Sequence, residues 1–506
     1  MTASGISGEE LFERGIGITY GDFTILNTRF SQIRREDISL KIDIGKEVIL
    51  RTPIIASPMD TVTNARVCIA IALQGGIGAI HYNHKDEDGR PSIEQQVSEI
   101  EAVKKFQNGF IESPVTVNPN MTIAEVISLG KSHTIGSSYI RTFPVTDNGK
   151  SDGKLVGFLT EADYWEGFRT NDKVSSRMTP LENLVVGMMP IILPEAQEMM
   201  WDKHVRSLPI VDRDGNLKYL VTRADIAKLS QYPMSTRDKD KRLRVLFAVS
   251  TWPNDAHERL ERGFAAGADG VIIDTSQGYS VHEERMVRHI KGKYPDKLLI
   301  GGNISTPEAA LALVEWGVDA FRCGQGSGSI CTTAGTIGIS KAGASAVYDC
   351  SKVLKDKNVK VIADGGIKEP GDITKALFIG ADCVMLGNLL AGTEEGPGEI
   401  KTDPSSGMPA KDYRGMGSDE AKVRGSLRGY GKMPEGVSDS VRYRGSIHGW
   451  VPLLCDAILH AFEVSNYKSI NSAHQGLYAG DTRFERRTIA SLQESGTHSL
   501  ISTGGR

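Results

Sequence analysis

From about residue 245 onward, short apolar runs rich in β-branched residues alternate with stretches of helical spacing. Leu246–Val249, Val271–Asp274, Leu298–Gly301, Ala320–Arg322, Val359–Asp364 and Cys383–Leu386 read as buried strands. Asn254–Ala266, Thr306–Trp316 and Glu369–Ile379 lie between them, two with Thr-Pro or Glu-Pro starts, and read as helices. Upstream, Pro53–Pro58 and Gly76–Ile80 continue the strand pattern. Repeating β–α units predict an α/β fold with a parallel sheet and helices outside. Nearly every strand ends in a polar or glycine cluster: DTSQG, GGN, CGQGSGS, DGG and GN. In a closed (β/α)8 barrel all these ends converge on one face, where they can build a single site. The expected architecture is therefore a barrel formed by residues 1–108 and 233–506.

Residues 109–232 break the rhythm with an internal repeat. Phe143–Gly149 is followed by Leu155–Leu159 and Thr160-Glu-Ala-Asp163; Leu208–Gly215 is followed by Tyr219–Val221 and Thr222-Arg-Ala-Asp225. The copies stand about 62–65 residues apart and define halves 109–170 and 171–232. Each Thr-x-x-Asp can serve simply as a helix cap. The repeat also resembles the paired CBS modules (a Bateman domain), α+β units that bind purine nucleotides. That resemblance implies a regulatory nucleotide held by Thr160, Asp163, Thr222 and Asp225.

Composition narrows the class. The chain has 506 residues with 40% hydrophobic and 24% charged positions, too apolar for a disordered polymer. A net charge of −4 gives no bulk attraction for nucleic acid, so an anionic ligand needs a local pocket. The longest nearly apolar runs, Cys68–Ile80 and Leu184–Leu193, are too short to span a bilayer. The acidic N-terminal stretch lacks a signal pattern, and Gly-Gly-Arg at the other end is not a peroxisomal tripeptide. Six cysteines (68, 323, 331, 350, 383, 455) show no metal-like spacing, which leads us to expect a reducing cytoplasm.

The richest chemistry lies in Cys323-Gly-Gln-Gly-Ser-Gly-Ser-Ile-Cys331-Thr-Thr333. Its glycines free backbone amides to nest an anion, with Ser329 as a further donor, and carbonyls to face a monovalent cation. A lone cysteine is usually a small buried hydrophobe, and five of the six fit that description. Cys331 differs by its donor-rich surroundings, which suit a nucleophile. Asp364-Gly365-Gly366 and Gly387-Asn388 end consecutive strands, where barrels place phosphate loops. Each taken alone can be a plain turn. Together with the Cys331 loop they make a nucleoside monophosphate the simplest joint ligand, Asp364 accepting from its ribose diol.

GSGSICTT (326–333), ASPMDTVT (56–63), GGIGAIHYN (75–83), DTSQG (274–278), ADGG (363–366) and YRGMGS (413–418) together resemble the inosine-5′-monophosphate dehydrogenase family across essentially the whole chain. The resemblance implies that Cys331 attacks C2 of IMP, that hydride passes to NAD⁺, and that the thioimidate is hydrolysed to xanthosine monophosphate. It assigns Ser57, Ser329, Asp364, Gly365, Gly366, Gly387, Asn388, Tyr413, Arg414, Gly415, Met416, Gly417 and Glu435 to the nucleotide. Asp274, Thr275, Ser276, Asn303, Arg322, Gly324, Gln325 and Gly326 fall to the dinucleotide. Gly326, Gly328 and Cys331 match potassium-binding carbonyls, with Glu494, Ser495 and Gly496 contributed by a neighbouring subunit of a homotetramer.

The resemblance departs at the flap. Dehydrogenases carry an adjacent Arg-Tyr pair whose Arg activates water, whereas here Arg428 and Tyr430 are separated by Gly429 and the flap is short. Arg428 and Tyr430, with Cys331 and Thr333, are the expected catalytic residues. The alternative is a GMP reductase, which uses NADPH to release ammonia from GMP. It places a carboxylate against the second Thr of C-T-T, here Thr333, and Asp419 stands in the expected position. A catalytically inactive nucleotide sensor is the third reading, opposed by the intact Cys331 loop.

Overall fold

The computed structural model describes residues 4–13, 15–85, 92–106, 110–112, 114–132, 134–135, 138–223, 232–404, 406–424 and 433–494. They form two compact units, one made of Met1–Lys105 with Met234–Arg506 and the other of Phe106–Pro233.

The first unit is a closed barrel of eight parallel strands: β1 (Ile54–Ala56), β2 (Ile77–Ile80), β3 (Leu246–Val249), β4 (Gly270–Ile273), β5 (Leu298–Ile304), β6 (Ala320–Cys323), β7 (Lys360–Asp364) and β8 (Cys383–Leu386). Each strand pairs with the next, and β8 returns to β1. The helices are α1 (Ala65–Leu73), α2 (Ile93–Lys105), α3 (Pro253–Ala265), α4 (Val281–Lys293), α5 (Pro307–Trp316), α6 (Gly343–Val353), α7 (Pro370–Phe378) and α8 (Ile447–Val464). Their starts are chemically marked: Thr306 caps α5 by accepting from the Ala309 amide, and proline stands in the first turn of α3, α5 and α7. Fully buried strands need apolar residues on both faces, which explains the unbroken runs in β3, β4 and β8.

Leu246, Ile272, Ile300 and Ile362 fill the barrel interior. Ile44, Val48 and Leu50, from and beside the hairpin Ile42–Asp43/Ile49–Leu50, join the same cluster. They plug the end where the strands begin, so the opposite end carries the open cleft. The first and last described strands of the unit, Phe23–Leu26 and Arg483–Arg486, form an antiparallel pair.

The second unit has two halves, each with its own sheet and core. One sheet contains Phe143–Thr146, Leu155–Leu159 and Thr179–Pro180; the other contains Phe110–Glu112, Gly187–Met188, Ser207–Val211 and Leu217–Thr222. Phe143, Val145 and Leu159 centre the first core, and Leu208, Ile210 and Val221 the second. The halves exchange reciprocal hydrogen bonds, Leu155 N–H to Gly215 O and Leu217 N–H to Gly153 O, both 3.0 Å. Among the described residues, no helix is long and apolar enough to cross a membrane.

Candidate active site

A cleft of about 1160 Å³, part of it open to solvent, lies at the strand ends of the barrel. It gathers Ser57, Ser329, Asp364, Gly365, Gly366, Gly387, Asn388, Tyr413, Gly415, Met416, Gly417 and Glu435 around Cys331 and Thr333. Asp274, Thr275, Ser276, Asn303, Arg322, Gly324, Gln325, Gly326 and Gly328 line it too. The sequence pattern does not single out Met59, Ser327 and Lys368, which also face the cleft. The first two sit inside recognisable motifs, whereas Lys368 carries no spacing signal.

The turn after β6 exists because Gly324 leads it. Its φ is +147°, and a Cβ there would stand 2.0 Å from the Asp364 carbonyl oxygen. The chain therefore reaches the end of β7 without a side chain between them, bringing Asp364 beside the thiol loop. Gly387 permits a second close approach, since a Cβ would meet the Tyr413 hydroxyl at 2.7 Å. Burial pushes the Tyr413 phenol up to about 12, so this hydroxyl remains protonated at neutral pH.

Cys331 is half-buried, whereas Cys68, Cys323, Cys350 and Cys383 are buried and Cys455 is half-buried in a helix; all six are free thiols. Cys331 Sγ stands 3.1 Å from Thr333 Oγ1, and that hydroxyl donates to Glu435 Oε2 at 3.0 Å. With its proton on Glu435, the Thr333 oxygen has lone pairs left to accept from the thiol. Backbone bonds hold the arrangement. Thr332 N–H donates to Glu435 O at 3.0 Å, Val437 N–H to Ile330 O at 3.0 Å, and Glu435 N–H to Gly417 O at 3.1 Å. The carboxylate facing Thr333 is thus Glu435. Asp419 opens the short helix Asp419–Arg424 and is exposed, outside the cleft.

Beside the thiol, Asn303 Nδ2 donates to Asp364 Oδ2 at 2.8 Å, and Arg322 Nη1 approaches the same oxygen at 3.6 Å. Burial raises the Asp364 carboxyl above its ordinary value, with Arg322 and Asn303 pulling the other way. Arg322, itself buried, makes its close pair with Asp274 at 2.6 Å. The cleft shares Asp274, Thr275 and Ser276 with a second hollow lined by Trp252, His257, His282 and Arg285.

Some expected site residues lie elsewhere. Arg414 ends the strand Pro409–Arg414, whose alternation turns Tyr413 into the cleft and sends the Arg414 guanidinium to Asp60 at 2.6 Å. Glu494 is exposed at the end of the helix Ile489–Glu494. Arg428, Tyr430, Ser495, Gly496 and Asp225 lie outside the described residues. In the second unit the Thr160 amide and hydroxyl both donate to Asp163 Oδ2, at 2.7 and 2.8 Å, which closes a turn on itself; no helix follows it, so the motif is not a helix cap here. Asp163 also lines a hollow with Trp165, Phe168, Arg169 and Arg177, while Thr222 ends its strand.

Fold and site together define a (β/α)8-barrel protein with a free, half-buried thiol in the cleft at its mouth and glycine-rich strand ends beside it. The family model of the IMP dehydrogenase / GMP reductase domain matches residues 17–498. The chain belongs to that family of oxidoreductases. Inosine-5′-monophosphate dehydrogenase of Schizosaccharomyces pombe is 36% identical over 505 residues, covering 97% of this chain and 93% of the relative. The Halalkalibacterium halodurans enzyme of the same name is also 36% identical, with 96% of both chains covered. Among solved structures, a cysteine-to-alanine variant of GMP reductase from Trypanosoma brucei in complex with guanosine 5′-monophosphate superposes with a TM-score of 0.79. It is 34% identical and covers 97% of this chain and 100% of that one.

Proposed function

We propose that the protein oxidises IMP to xanthosine monophosphate with NAD⁺, through a covalent adduct on Cys331. What supports this reading is the nearly full-length likeness to inosine-5′-monophosphate dehydrogenases at 36% identity, together with the Cys331–Thr333–Glu435 chain inside the cleft. Glu435, through Thr333, takes the thiol proton, and Cys331 attacks C2 of the base. The C2 hydrogen leaves as hydride, accepted by the nicotinamide dinucleotide when bound. Glu435 then gives the thiol proton up to solvent, water adds to the thioimidate carbon and passes a proton through Thr333 to Glu435, and that proton returns to the Cys331 thiolate as the C–S bond breaks. Asp364 orients the ribose, and Ser329, Gly366, Gly387 and Asn388 receive the phosphate.

The residues present suit a dinucleotide. The hollow beyond Asp274–Ser276 offers the Trp252 ring and the Arg285 guanidinium to an adenosine end, continuous with the thiol cleft. A potassium ion would be held by the carbonyls of Gly326, Gly328 and Cys331, joined by Glu494, Ser495 and Gly496 of a neighbouring subunit in a homotetramer. Gly328 O already accepts from the Cys331 amide at 3.1 Å, and its second lone pair leaves it able to face a cation. Such an ion would tether the loop electrostatically. Residues 109–232 serve as a CBS pair that binds a purine nucleotide, and the protein acts in the cytoplasm in guanine nucleotide synthesis.

One observation favours a second reading. A carboxylate on the second Thr is what a GMP reductase needs to protonate departing ammonia, and Glu435 occupies that place. The two readings run opposite hydride transfers through the same thiol, so one assay separates them. IMP with NAD⁺ is expected to raise the absorbance of reduced nicotinamide, and Cys331→Ala to abolish this while nucleotide binding persists. No signal with IMP, and a fall with GMP and NADPH, transfers the assignment to the reductase.

A further inference from the structure

Asp60 is a buried carboxylate with no part in the chemistry above. It follows β1, its side chain is 6% exposed, and four polar contacts converge on it. Arg414 Nε donates to Oδ1 and Oδ2 at 3.1 and 3.2 Å, Arg414 Nη2 to Oδ2 at 2.6 Å, and Asn83 Nδ2 to Oδ2 at 2.8 Å. The Arg414 amide is also taken, donating to Thr61 Oγ1 at 3.2 Å. Asn83, just past β2, reaches the Ala421 carbonyl at 3.5 Å. Residues at the mouths of two adjacent barrel strands therefore grip both ends of the 414–421 stretch.

That stretch is what Glu435 leans on. Gly415 N–H donates to Val437 O at 3.1 Å, and Gly417 O accepts from the Glu435 amide at 3.1 Å. The connection from barrel to chemistry thus runs Asp60, Arg414, Gly415–Gly417, Glu435, Thr333, Cys331. A forked guanidinium–carboxylate pair fixes direction as well as distance, which a single contact does not. Breaking one partner leaves the other charge buried and drives the segment to rearrange.

We propose that Asp60 is a positioning residue whose pairing with Arg414 sets the register of Gly415–Gly417 and so holds Glu435 on Thr333. The role rests on the thiol-relay reading of the site and is indifferent to the direction of hydride transfer.

The test is a double-mutant cycle of Asp60→Asn and Arg414→Gln in the full chain, with three readouts. Turnover should fall at least about tenfold in each single variant, because a displaced Glu435 forfeits part of the 10²–10⁴ typical of a placed base. Binding of IMP or GMP, followed by calorimetry, should weaken by less than turnover falls, since Gly415–Gly417 line only part of the cleft and the proposed phosphate and ribose contacts come from other loops. Alkylation of Cys331 by iodoacetamide should slow with turnover, and the double variant should be no worse than the singles. Arg414→Lys, which keeps the charge but loses the fork, should recover only part of the rate and provides a milder variant should Asp60→Asn fail to fold. Single variants with unchanged turnover per titrated thiol, or losses that add in the double variant, overturn the proposal. Unchanged alkylation alongside lost turnover also overturns it. If neither nucleotide is turned over by the unmodified protein, the functional reading fails; the alkylation cycle still judges the Asp60–Arg414 pairing.

Discussion

Replacing Glu435 by Gln exchanges one carboxylate oxygen for an amide nitrogen at nearly constant volume. The backbone contacts to Gly417 and Thr332 do not involve the side chain, so the segment should keep its place. What disappears is an anionic acceptor 3.0 Å from a hydroxyl that itself stands 3.1 Å from the sulfur. A placed general base contributes about 10²–10⁴ in rate. At about 1.36 kcal/mol per decade, this corresponds to roughly 2.7–5.4 kcal/mol of barrier. Because the amide oxygen still orients Thr333, the expected loss lies near the lower end, about a hundredfold in kcat. Stopped-flow absorbance of reduced nicotinamide separates the steps. A retained burst followed by slow turnover places Glu435 in the water step, whereas a slowed burst places it in deprotonating the thiol. A kcat within about threefold of the unmodified protein, less than roughly 0.7 kcal/mol of barrier, would refute the relay.

Gly324→Ala should cost at least about 2 kcal/mol, from its left-handed φ and a Cβ 2.0 Å from a carbonyl oxygen, and should lower both Tm and turnover. Glu283 is buried, with one oxygen accepting from the Gly302 amide at 2.8 Å and the other unpartnered, and burial raises its carboxyl well above the ordinary value. The folded state therefore holds this proton more tightly than the unfolded chain does. The associated stability is complete below about pH 4.3 and is lost as pH climbs toward the raised folded value. The Tm of Glu283→Gln relative to the unmodified protein should accordingly rise with pH across that window, and a flat difference would contradict the assignment. Removing residues 106–233 and joining the flanks with a short linker should leave a barrel that still turns over nucleotide, measured by the same absorbance assay. A soluble, folded deletion without activity would show that the barrel needs this unit.

The barrel was legible because fully buried strands leave an unmistakable mark. Apolar runs such as Leu246–Val249 and Cys383–Leu386 coincide with β3 and β8, and Val271–Asp274 is displaced from β4 by a single residue. Helix ends read well where Thr306 or a proline announces them. The thiol loop and the glycine clusters were legible as neighbours in one cleft because so many residues without side chains add nothing to a core and leave their amides free to face a ligand. Register at the flap was not. Asp419 and Glu435 are both carboxylates near the right motif, and only the strand pairing that brings Gly436 beside Cys331 decides between them. Arg414 shows the same limit. Its neighbour Tyr413 turns into the cleft, and one step of strand alternation sends Arg414 to Asp60, a partner 354 positions away in the chain.

The pairing of Phe23–Leu26 with Arg483–Arg486 has a consequence for synthesis on the ribosome. Phe23 ends fully buried, its ring edge-on to Phe484 at 5.6 Å. Its strand partner is made roughly 460 residues later, which at about 5–20 residues per second means a wait of roughly 25–90 seconds. The eight barrel strands all lie between Ile54 and Leu386, so the barrel can close while this segment still lacks its mate. Throughout that interval a newly made chain exposes an unpaired, apolar strand, open to chaperones and to other nascent copies alike. The last described strand to emerge is the one that puts it away.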